Sequence, residues 1–135
     1  MRYPRIGLIT VLADDVEAMK AFYGGVLGFE ILENLGSYVE FRSDGVRFAV
    51  CARDVMFTHT GHPSYVEEAY GQRFELAFPA GAPDEVDLLY RELVARGAPA
   101  VRPPETMPWG RRTAFIADPE GNIHEIYSLR EGENV

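Results

Sequence analysis

The chain has 135 residues, enough for one domain that buries roughly two thirds of the surface its unfolded form exposes. Apolar residues at 47% and aromatic residues at 12% exclude a disordered chain. Thirteen Lys and Arg against 21 Asp and Glu give a formal net charge of −8, which argues against nucleic acid as a partner and tolerates a cationic ligand.

Residues 6–12 are apolar and β-branched and predict a strand. With the two arginines before it this run faintly imitates a signal peptide, but Asp14 and Asp15 follow at once and a strand is the expectation. No stretch approaches the roughly 20 apolar residues of a membrane span. The expectation is a cytoplasmic protein with no membrane partner. The same aspartates offer a helix N-cap, and Val16, Met19, Phe22, Tyr23 and Val26 recur at helical spacing. Gly24–Gly25 weakens that helix and Gly28 marks its stop. FEIL and SYVEF follow as strands, and Asp44–Gly45 joins SYVEFRS to VRFAVCA as a hairpin. Cys51 is the only cysteine, so it has no disulfide partner within the chain and reads as a small core residue.

Residues 53–72 lack sustained strand alternation and hold Gly61, Pro63 and Gly71. They read as a linker with one helical turn at SYVEEAY. His59 and His62 have the i, i+3 spacing of a helical metal pair, but Gly61 and Pro63 argue against a helix there, which leaves them as surface loop histidines. RFELAF, 73–78, predicts a strand, with Phe74, Leu76 and Phe78 packed on helices and Glu75 and Ala77 on the other face. Pro83 to Ala95 predicts a helix with a stripe of Val86, Leu89, Tyr90 and Leu93, stopped by Gly97. APAVR reads as a strand, Pro103, Pro104 and Pro108 as a rigid loop, and TAFIA and NIHEIY as strands joined by the turn DPEG. Both halves therefore read β-α-β-β-β. The simplest account is a degenerate duplication within one α+β domain, with modules at 4–52 and 73–130.

These residues resemble the glyoxalase / bleomycin resistance protein / extradiol dioxygenase superfamily, also called vicinal oxygen chelate proteins. DDVEAMKAFYGGVLGFEIL carries the resemblance in the first module and PWGRRTAFIADPEGNIHEIY in the second. The Trp–Gly pair, the Asp-Pro-x-Gly-Asn turn and the Glu four residues after that glycine all fit the family pattern. The resemblance implies two βαβββ modules forming an open, cupped eight-stranded barrel-like sheet, in a homodimer.

Metal-dependent members of that family place one ligand on each first strand and one on each last strand, where a divalent ion polarises the substrate. The corresponding positions here are Leu8, Ala49 or Val50, Glu75 and Glu125. Only the two glutamates bear donor atoms, whereas catalytic transition-metal sites supply three protein ligands. The metal-independent, bleomycin-resistance-like branch is thus the nearer match, with no cofactor expected. A divalent metal on Glu75 and Glu125 is the alternative. Glu75 is expected to pair with Arg112 or to meet a cationic group of a ligand, because an isolated buried carboxylate is costly.

Tyr38, Phe57, Tyr65, Tyr70 and Trp109 fall on strand ends and loops that could line the mouth of a cup, where aromatic walls suit a planar ligand. Together these features predict an acidic cup binding a small, partly aromatic or cationic molecule through Glu75, Glu125, Trp109, Tyr38 and Arg112. The competing expectation is a lyase, isomerase or dioxygenase in which Glu125 is catalytic, as a ligand or as a general base.

Overall fold

The computed structural model describes residues 4–133. The chain divides into two compact units, Met1–Tyr70 and Gly71–Val135. The first contains β1 (Leu8–Ala13), α1 (Val16–Lys20), β2 (Ile31–Asn34), β3 (Tyr38–Phe41), β4 (Arg47–Ala52) and α2 (Arg53–Thr60). Its sheet runs β1-β4-β3-β2, with β1 parallel to β4 and the other pairs antiparallel. Asp15 caps α1 by accepting a 3.0 Å hydrogen bond from the Ala18 N–H. The helix then widens rather than breaking at its glycines. Residues Ala21–Val26 are π-helical, with the Leu27 N–H donating to the Phe22 carbonyl, and the turn ends at Gly28, whose φ of 86° favours glycine.

Adjacent Phe22 and Tyr23 are both buried in this wide turn. Tyr23 meets Phe48 at 5.2 Å between ring centroids, and Phe48 meets Phe41 at 5.6 Å. Strand alternation therefore turns Val39, Phe41, Phe48 and Val50 toward the helix. Tyr38, Glu40 and Ala49 lie on the opposite face of the sheet.

The second unit contains β5 (Ala77–Gly81), α3 (Pro83–Ala95), β6 (Ala100–Thr106), β7 (Arg112–Ala117) and β8 (Ile123–Ser128). Its order, β5-β8-β7-β6, repeats the first sheet, again with one parallel pair. Pro83 opens α3, Val86 and Leu93 are buried, and the chain passes Gly97 at φ 111°.

Several expectations change. Strand pairing among the described residues runs within each half, so the eight-stranded barrel-like sheet is realised as two four-stranded mixed sheets that no ladder closes into a barrel. The stretch expected as a linker holds α2 and a 3-10 turn at Pro63–Tyr65. Gly61, at φ 67°, caps α2 at its C-terminus instead of breaking it, so His59 lies in the last helical turn. Arg53 staples the segment by donating to the carbonyls of Ser64, Tyr65 and Glu67. Pro103 and Pro104 lie inside β6, not in a loop. They fit because β6 is an edge strand whose register shifts between Arg102 and Glu105.

Candidate functional site

Exposure alternates along β8: His124, Ile126 and Ser128 are buried, while Ile123, Glu125 and Tyr127 are half-buried. The register extends this alternation across the sheet. Glu125 lies opposite Phe115 and Ala77, and Tyr127 opposite Thr113 and Pro79. Arg112 precedes Thr113 on the other face and reaches α3, where it makes a two-pronged ion pair with Asp87. Glu125, Tyr127, Phe115 and Thr113 thus share the face turned from α3.

Burial raises the Glu125 pKa above the ordinary carboxylate value, the charge of Glu75 raises it further, and Arg111 opposes both. Arg111 lies 5.4 Å over the Tyr127 ring centroid. Its guanidinium donates to the Ser128 carbonyl at 2.8 Å and to both Glu133 oxygens at 2.8 and 2.7 Å. Those bonds hold Glu133 at a pKa of about 2. Thr113 is 2% exposed, and its Oγ1 has no hydrogen-bond partner among the described residues.

Glu75 precedes β5 instead of lying within it, because residues 72–76 are tied to β8 mainly by side chains. Gln72 donates to the Gly121 carbonyl at 2.8 Å and accepts from the Ile123 N–H at 2.9 Å. The Leu76 N–H donates to His124 Nδ1 at 3.1 Å, and the Leu76 carbonyl accepts from the Glu125 N–H at 2.9 Å. Phe74 and Phe78 pack on the His124 ring at 6.1 and 5.8 Å, which leaves Glu75 on the Glu125 side. His124 therefore points away from Glu125, as alternation required.

The expected Arg112–Glu75 pair does not form. Arg112 donates to Asp87 on α3 and to Thr106 at the end of β6. Arg111, one residue earlier and on the opposite face, is the arginine beside Glu125. Sequence reasoning missed it, although counting back two residues from Thr113 places it on that side.

Trp109 is 60% exposed in the β6–β7 turn, where its carbonyl accepts from Arg130 at 3.0 Å. In the first unit, the Tyr38 O–H donates to Glu40 at 2.8 Å, and Arg47 clasps Glu40 with bonds of 3.0 and 2.7 Å. Glu40 is 9% exposed, and its pKa falls to about 2, chiefly through the Arg47 bonds and then the Tyr38 bond. It pairs in register with Ala49. This carboxylate too was overlooked, though SYVEF places it two residues from Tyr38 on one face.

The donor set does not fit the family's divalent metal. Leu8 and Ala49 carry no ligand atoms, and Val50 faces the helix. Among the described residues no group of three or more His, Cys, Asp or Glu is placed to hold an ion. Cys51 is buried, and burial raises its thiol pKa, so it is a poor nucleophile.

Residues 5–126 match the model of the Glyoxalase/Bleomycin resistance protein/Dioxygenase superfamily. The chain belongs to this superfamily. It is 29% identical over 125 residues to the Bacillus subtilis protein YraH, covering 90% of this chain and 95% of that one. A glyoxalase/bleomycin resistance protein/dioxygenase from Nocardioides has a similar structure, with a TM-score of 0.86 and 28% identity over 99% of this chain and 89% of that one. A glyoxalase-related enzyme from Fulvimarina pelagi gives 0.81 at 26% identity, covering 94% of this chain and 89% of that one. Among the described residues no helix is long and apolar enough to cross a membrane.

Proposed function

We propose that the protein binds a small, partly aromatic or cationic molecule on the face carrying Glu125, without a metal ion, as in the bleomycin-resistance-like branch of the superfamily. The observation that carries this reading is the setting of Glu125. It is half-buried, its pKa is raised by that burial, and its second influence is another carboxylate, Glu75. Such a group gains from a cation that neutralises it. Arg111 supplies that relief incompletely, because Glu133 already engages its guanidinium. Tyr127 offers an aromatic surface on the same face, and the buried Thr113 hydroxyl offers a hydrogen bond that no partner among the described residues takes up. Trp109, in the turn before β7, is assigned to stacking. Replacing Trp109 with Ala is expected to weaken every ligand found, and unchanged affinities in calorimetry would remove it from the site.

The raised Glu125 pKa also favours a second reading. A carboxylate displaced toward neutrality is suited to abstract a proton next to a carbonyl. Turnover of a carbonyl substrate that is lost in Glu125→Gln would establish that reading, and turnover retained in the variant would remove Glu125 from the mechanism.

A further inference from the structure

The carboxylate pair lies on one side of the second sheet, and a buried histidine lies on the other. Glu75 has no regular strand to hold it, since β5 begins at Ala77. Its position depends on the two residues that flank it. Phe74 is held on the His124 side by ring packing. Leu76 is held at both ends of its peptide unit, its N–H by His124 Nδ1 and its carbonyl by the Glu125 N–H. His124 therefore makes contact on both sides of Glu75.

The histidine is itself oriented. Asp118 is 1% exposed and accepts from the Glu120 N–H at 2.9 Å, the Asn122 N–H at 3.0 Å and the Asn122 side-chain amide at 2.7 Å. That bonding fixes the DPEG turn, and Asp118 Oδ2 then lies 3.9 Å from His124 Nε2. Burial lowers the imidazole pKa, and Asp118 and a backbone bond to Ile123 oppose that shift. The Leu76 N–H needs an unprotonated Nδ1 as its acceptor, which puts the proton of a neutral ring on Nε2, toward Asp118.

We propose that His124 is a positioning residue for the ligand-binding face: by accepting the Leu76 N–H from the helix side of the sheet, it holds Glu75 beside Glu125 on the other side. The chemical consequence is a paired-carboxylate site for a cationic group, set by a residue that never touches the ligand. This rests on the binding reading above, but it is tested without any ligand, so the two fail separately.

The experiment is nuclear magnetic resonance on the full chain. In the unmodified protein, nitrogen-15 spectra are expected to show His124 with a protonated Nε2 and an unprotonated Nδ1, and the reverse tautomer would overturn the proposal. The Glu125 carboxyl is then titrated with and without Glu75→Gln. In the native background, Glu75→Gln is expected to lower the Glu125 midpoint. His124→Asn, whose Oδ1 stands near the Nδ1 position, is expected to retain most of that lowering. His124→Gln, which keeps an amide but moves it toward the Nε2 position, is expected to lose more than half of it. Equal lowering in native, Asn and Gln backgrounds would overturn the proposal, because histidine would then contribute packing alone. If the Gln variant fails to fold, the tautomer and the Asn comparison still decide.

Discussion

Glu125 and Glu40 are both glutamates facing away from the helix of their own sheet, yet their surroundings push them in opposite directions. Burial and Glu75 raise the Glu125 pKa, so folding favours its protonated form. Its stabilising contribution is complete below the unfolded value and disappears as pH rises through the folded one. Glu125→Gln is therefore expected to melt above the native protein at pH 7 and level with it in acid, as read by calorimetry at both pH values. Glu40 behaves inversely. Arg47 and Tyr38 hold it at about 2, against an ordinary 4.5, so its contribution is present above the ordinary value and is lost as pH falls toward 2. Glu40→Gln is expected to melt below the native protein at neutral pH, with the gap closing in acid. A gap that stays constant with pH would show that the Arg47 clasp is not what stabilises Glu40.

At the scale of elements, Arg53 illustrates how a helix and the turn after it are joined by one side chain. Arg53→Ala removes a charged donor from three carbonyls, which is expected to cost about 1–3 kcal/mol in urea unfolding. Amide exchange should quicken across residues 61–67 if the staple holds that turn, and unchanged exchange would refute it. Much of the element order was legible in the sequence. Pro83–Ala95 stands at its expected bounds because a proline start, an apolar stripe and Gly97 agree. Other elements were less legible because one signal had two physical meanings. Gly61 reads equally as a breaker or as the cap of a helix that ends there. Pro103 and Pro104 read as loop until β6 is known to be an edge strand. The RFELAF strand starts late because Gln72 and His124 replace ladder bonds with side-chain bonds, and those partners lie about 50 positions away in sequence. The candidate site divided similarly. The α3 helix supplies Asp87 to Arg112, a pairing that no local pattern announced.

At the scale of the whole molecule, the repeated module accounts for an uneven distribution of charge. Leu8 and Ala49 occupy in the first module the positions that Glu75 and Glu125 occupy in the second. The first sheet does carry a carboxylate, Glu40, but its own arginine and tyrosine consume it. The second sheet keeps a less fully neutralised pair, in which Glu75 raises the Glu125 pKa and Arg111 only opposes that rise. Under the proposed function, this pair favours a cationic group on a small, partly aromatic molecule. The most direct measurement is calorimetric affinity for matched aromatic amidines and their neutral amides, on native protein and on Glu125→Gln. Amidines are predicted to bind about tenfold or more tighter than their amides, about 1.4 kcal/mol, with that preference lost in the variant. Amides that bind the native protein as tightly as amidines across the whole set would rule out a cation-selecting carboxylate pair.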